Sequence, residues 1–140
     1  MRIVFDPSTL RQSKKGSVTG VVFFDFGAAR QFPGSGWNDF VIVILNWWLA
    51  ALERLIQGQP KADLRFMDGP YWITAIAHGP SLLLRCIEDR TDAGPPYDVL
   101  VRVEDLKREL MTFARQLSNA CAQAHIQSAE LNELRKYLAN

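Results

Sequence analysis

Residues 37–57, WNDFVIVILNWWLAALERLIQ, decide the fold of this chain. Nearly every position is apolar, from Trp37 and Phe40 through Val41, Val43, Ile44, Leu45, Trp47, Trp48, Leu49 and Leu52 to Leu55 and Ile56. The exceptions Asp39, Asn46 and Glu53 recur at heptad spacing, so on an α-helix they drift only about 20° per step and form one narrow polar line. A helix apolar on almost every side is a buried one. The pattern predicts a central helix over residues 37–57, with Asp39 in its first turn complementing the helix dipole. The polar line reads either as the solvated edge of that helix or as a set of groups that fixes its neighbours or lines a groove. Asn46, between Leu45 and Trp47, is the member expected to be buried and hydrogen-bonded.

The same stretch is short for a bilayer. Its uninterrupted apolar part, residues 40–52, contains Asn46 and falls below the about 20 apolar residues that a spanning helix needs. The N-terminal MRIVFDPSTL reads as a strand with an early Asp and Pro rather than as a secretory signal, so a soluble, cytoplasmic protein is expected. A length of 140 residues suits one domain, residues 1–140, that buries its core without a staple. The two cysteines, Cys86 and Cys121, stand in no paired spacing and read as reduced, buried thiols. Sixteen Lys and Arg against fifteen Asp and Glu favour neither a nucleic-acid nor a membrane partner, and give no acidic mimic of DNA.

Residues 2–5 form a short strand candidate, and the polar stretch 7–20, with Lys14 and Lys15, reads as a mobile loop. GVVFFDF at residues 20–26 is a second strand by its β-branched and aromatic content. Gly58 and Pro60 stop the central helix. Strands over 64–67, 71–78, 81–88 and 97–103 are then separated by Asp68-Gly69-Pro70, Gly79-Pro80 and Ala93-Gly94-Pro95-Pro96, the punctuation of an antiparallel meander. Leu106, Leu110, Phe113, Ala114, Leu117, Cys121 and Ala124 recur at three and four and mark an amphipathic helix over 104–125. Ser128 caps a last helix carrying Leu131, Leu134 and Leu138. The expected fold is α+β: a single antiparallel sheet of about five or six strands, covered by the long apolar helix and the C-terminal helices.

Period-two alternation separates the faces of the meander. Tyr71, Ile73, Ala75 and Ala77, with Leu82, Leu84, Cys86, Tyr97, Val99, Val101 and Val103, are expected to point toward the core. The other face mixes apolar and charged side chains: Trp72, Thr74, Ile76 and His78, then Leu83, Arg85 and Ile87, then Asp98, Leu100 and Arg102.

Signs of chemistry are sparse. Pro33-Gly34-Ser35-Gly36 leads toward the long helix, whose free N–H groups could hold an anion. It lacks the Lys-Ser/Thr ending of a phosphate loop, and Asp39 would repel an anion, so a turn capped by Ser35 is the plainer reading. Cys121 and His125 share a predicted helix face without the further ligands a zinc site needs; no metal or other cofactor is expected. Asp25, inside an apolar strand, is at a sheet edge, paired with an arginine, or functional with a raised pKa. His78 points away from Cys86 and reads as a surface histidine. These residues define one class of function, a small enzyme or ligand-binding domain with a pocket near the Gly34-Ser35-Gly36 helix N-terminus, or one to which Asp25 and His78 contribute.

Residues 32–52, FPGSGWNDFVIVILNWWLAAL, lead to a second class. The Phe-Pro-Gly loop, the Trp-Asn-Asp-Phe segment and the apolar run containing Asn-Trp-Trp resemble small bacterial proteins encoded beside polymorphic toxins, which look like immunity proteins. The resemblance implies a non-enzymatic protein that works by binding one protein partner, a bacterial toxin domain, and it carries no catalytic motif. A partner needs a surface, and the mixed sheet face offers residue types enriched in binding hot spots. The residues expected to bind are Trp72, Thr74, His78, Arg85 and Arg102. A loop or the last helix covering this face is the competing expectation. Exposed edge strands could also pair with a partner or with a second copy in a homodimer.

Overall fold

The N-terminal strands are longer than their apolar content suggests. In the computed structural model, which describes residues 1–139, β1 (Arg2–Gln12) and β2 (Val18–Asp25) form a long antiparallel hairpin, so the expected loop is strand on both sides of a tight turn. Pro7 is tolerated because β1 is a sheet edge and its register breaks between Asp6 and Arg11. Within that break the Thr9 hydroxyl accepts from the Val21 amide at 2.8 Å, a side chain standing in for a lost ladder bond. Two short strands, β3 (Gln31–Phe32) and β4 (Asn38–Asp39), also pair with β2 and complete a four-stranded sheet.

The central helix, α1 (Val41–Ile56), starts later than its apolar pattern predicts. Asp39 is the cause. Its carboxylate, in a residue only 1% exposed, accepts from the Trp37 indole at 2.9 Å, the Phe40 amide at 2.7 Å and the Met67 and Asp68 amides at 3.2 Å each. A short polar side chain that bonds nearby amides competes with helix, and here it holds residues 38–39 as strand. Asp39 therefore staples two loops together instead of serving the helix dipole. Gly58, at φ +103°, ends α1 as expected.

Nor is α1 buried all round. Val41, Ile44, Leu45, Trp48 and Ala51 are fully buried, but Trp47 is 40% exposed, and Glu53, Arg54 and Ile56 also face solvent. Asn46 is half-buried and donates its amide to the Glu130 carbonyl at 2.9 Å, while its own buried Oδ1 has no partner among the described residues. What remains of the polar line thus runs along the last helix: Asn46 positions it, and Glu53 lines a shallow groove with Tyr137.

The chain then builds a second sheet, β5 (Lys61–Arg65), β6 (Tyr71–His78), β7 (Ser81–Glu88) and β8 (Tyr97–Arg102), in sequential antiparallel order. The expected single sheet is replaced by two four-stranded sheets with α1 between them in sequence. Each sheet satisfies its own ladder bonds, so nothing in local pairing requires them to merge. They are joined through Trp48, whose ring lies 5.2 Å from Phe24 of β2, 5.2 Å from Phe66 after β5 and 6.2 Å from Phe113. Gly69, at φ +80°, makes the turn into β6 beneath the Trp37 ring, which a Cβ there would meet at 2.8 Å.

Helix α2 (Val103–Gln123) packs on β1 and α1, and Glu109 accepts from the Ile3 amide at 2.9 Å. It ends before His125, which is exposed at φ +56°, whereas Cys121 is fully buried. The two therefore do not share a helix face. Ser128 caps α3 (Ala129–Leu138), accepting from the Leu131 amide at 3.1 Å. The inward faces of both sheets and all three described helices meet in one apolar cluster. No described helix is long and apolar enough to cross a membrane.

Candidate protein-binding face

The outer face of the second sheet is ordered in rows by strand register. Lys61, Ile76, Leu83 and Leu100 stand opposite one another across the four strands, Asp63, Thr74, Arg85 and Asp98 form the next row, and Arg65, Trp72 and Ile87 the next. The middle row is closed on itself. Thr74 donates to Asp63 at 2.8 Å, and Arg85 grips Asp98 through two bonds of 2.9 and 3.1 Å. Asp98 holds Arg85 above the usual arginine value, and Arg85 in turn holds the Asp98 carboxyl below the usual aspartate value. On either side lie apolar groups that water reaches: Trp72, Ile76, Leu83 and Ile87 are half-buried, and Leu100 is 60% exposed.

All five expected binding residues fall on this face, but in different circumstances. Trp72 carries the Arg65 guanidinium over its ring at 5.2 Å. Thr74 and Arg85 sit opposite each other in the middle row and are engaged within the sheet. His78 and Arg102 are both paired with Ser81 at the far end; Arg102 is exposed and lies 3.8 Å from Glu104.

Sequence reasoning missed the α1 side of the face. A groove of 320 Å³ between helix and sheet is lined by Trp47, Ala50 and Arg54 of α1 and by Asp63 and Arg65 of β5. The alternation in Lys61-Ala62-Asp63-Leu64-Arg65 was the available signal for the sheet side, because Ala62 and Leu64 are the buried members. Trp47 had no such signal: apart from Asn46, the run from Phe40 to Leu52 is apolar throughout, so exposure of this one ring does not show in its neighbours.

The features of the other class do not converge. Ser35 and Gly36 are exposed in a turn closed by the Trp37 amide on the Gly34 carbonyl at 3.2 Å, and α1 begins only after β4, with Val41 and Ile42 buried at its start. Ser35 is no helix cap, since the N-cap residue is Phe40. Asp25 ends β2, accepting from the Gly27 amide at 2.9 Å and from Gln31 at 3.3 Å, bonds that lower its pKa; His78 belongs to the other sheet. A cleft of 280 Å³ does open beside Phe32 and Pro33, walled by Tyr71, Tyr97 and Glu88. Cys86 also lines it, and burial pushes its thiol up to about 12, away from the thiolate that a nucleophile needs. Burial likewise pushes the Tyr97 hydroxyl up to about 12.

Comparison with protein-family models, with curated proteins and with solved structures finds no match to this chain.

Proposed function

We propose that this protein is a binding module of the immunity type, which neutralises a cognate bacterial toxin by direct complex formation through the outer face of the second sheet. The observation that carries the reading is that this face is left open. The helices and the first sheet meet its inner side, while Trp72, Ile76, Leu83 and Leu100 remain accessible around a self-paired polar row. Half-exposed aromatic and aliphatic groups set among satisfied polar pairs are the composition of an interface core rather than of a plain solvated surface. The closed Arg85–Asp98 pair suits such a core because a partner can cover it without stranding a charge.

The test begins with co-expression of the chain and the product of its neighbouring gene. A stable complex and relief of toxicity are expected, with loss of about 2 kcal/mol of binding on Trp72→Ala at unchanged thermal stability. A variant with Trp72, Arg85 and Arg102 all replaced by alanine should fail to protect. Full protection and unchanged affinity in that variant would remove the face from consideration.

A further inference from the structure

Resting on the reading of this face as a protein-binding surface, we infer that the seam between α1 and β5 receives an acidic, partly apolar segment of the partner protein. The seam is a groove of 320 Å³ with an apolar wall, the 40% exposed Trp47 ring, and a small floor residue, Ala50. Its charges are unbalanced. Arg54 and Arg65 line it and Lys61 stands one row away, against a single carboxylate, Asp63, which already accepts from Thr74 and Arg65. Among the described residues Arg54 and Lys61 form no ion pair, in contrast to Arg85, which is paired with Asp98 through two bonds. An Asp or Glu of the partner facing Arg54, on the Lys61 side of the groove, with a neighbouring Leu or Phe against Trp47, would satisfy both features of the groove.

The same imbalance selects among occupants. A second copy of this chain meeting the seam by twofold symmetry would bring its own Arg54 and Lys61 against these, so the seam opposes self-association. A nucleic acid lying along the middle row would meet Asp63 and Asp98, and the row beside it offers Lys61 followed only by Ile76, Leu83 and Leu100, so neither supplies the run of phosphate contacts it requires.

The test is a titration of ¹⁵N-labelled protein followed by NMR, using a synthetic peptide that alternates Glu with Leu and Phe, and a counterpart with Lys in place of Glu. Saturable shifts of the Trp47 indole N–H and of the Arg54 and Arg65 amides are expected with the Glu peptide alone. Affinity should fall about tenfold in Arg54→Glu/Lys61→Glu, and also on raising salt from about 0.05 to about 0.5 M. Both positions are exposed, and an unchanged spectrum elsewhere verifies the fold of the variant. Equal shifts with the Lys peptide, or equal affinity in the double variant, overturn the inference. If the toxin complex forms with wild-type affinity in that variant yet is lost on Trp72→Ala, the acidic-segment assignment fails while the binding face stands. If both substitutions leave the complex intact, both readings fail.

Discussion

Trp48 donates its indole N–H to the backbone carbonyl of Arg65 at 2.7 Å, and this one bond joins the centre of the core to the candidate binding face. Arg65 closes β5, an edge strand, and the indole satisfies its carbonyl from the α1 side. With the backbone held there, the Arg65 side chain lies outward over Trp72. A fully buried residue thereby places an exposed one.

Trp48→Phe should test that coupling. It leaves the Arg65 carbonyl without its donor and opens space among Phe24, Phe66 and Phe113, for a loss of about 2–3 kcal/mol in urea unfolding. The Trp72 indole resonance should move as well, since its covering guanidinium is no longer anchored. A variant with wild-type stability and an unmoved Trp72 signal would show the bond to be incidental.

Asp39→Ala should be among the most damaging single changes. It strands four donors around a buried carboxylate and should cost about 3 kcal/mol or more, whereas Asp39→Asn keeps one acceptor oxygen and should lose less. Guanidinium unfolding of the two variants gives the comparison. Equal losses would mean that the charge, and not the count of accepted bonds, is what the site needs.

Asn46→Leu should change stability by less than about 1 kcal/mol. The substitution gives up the bond to the Glu130 carbonyl but also removes a buried oxygen that has no donor among the described residues. Hydrogen exchange should nevertheless speed up at the start of α3, because Asn46 supplies a hydrogen bond from α1 to the Glu130 carbonyl there. Slower or unchanged exchange there would remove Asn46 as its anchor.

The thiols should be silent in the native state. Burial raises both Cys86, to about 12, and Cys121, so a disulfide reagent at pH 8 should label neither until denaturant is added. Rapid stoichiometric labelling of the folded protein would contradict the buried placement of both.

Acid should weaken the fold through Asp25 and Asp98. Both are held below their ordinary value of 3.8, Asp25 by the Gly27 amide and Gln31, Asp98 by Arg85. A depressed folded-state pKa stabilises the protein above the unfolded value, and that stability is lost as pH falls through the folded-state value. Thermal midpoints should therefore drop as pH goes below 3.8, and Asp98→Asn should flatten part of the drop. An identical pH profile in that variant would show the exposed Arg85–Asp98 pair to be neutral for stability, as many surface pairs are.

Much of this architecture was legible in the chain. The Gly and Pro punctuation placed β6 and β7 at their observed bounds, and alternation put Trp72, Thr74, His78, Arg85 and Arg102 on one face. Period-two patterning reports direction reliably because a side chain on a strand has only two directions available. The same reasoning was silent about Arg85 being spent on Asp98, since cross-strand register is a pairing between distant segments. It also misplaced Trp47, because an apolar residue in an apolar run reads as buried wherever its helix finally turns.

The sequence by itself determined the α+β class, the stop of α1 at Gly58, the Ser128 cap and the inward and outward sets of the meander, all of which follow from local backbone preference and short-range periodicity. Only the tertiary structure decided that there are two sheets, that Asp39 leaves the helix to bind four donors, and that Trp47 and Arg54 border the open face. Those outcomes depend on which distant groups meet. A carboxylate stays buried only where amides from another loop reach it, and an apolar ring stays exposed only where no other element packs over it.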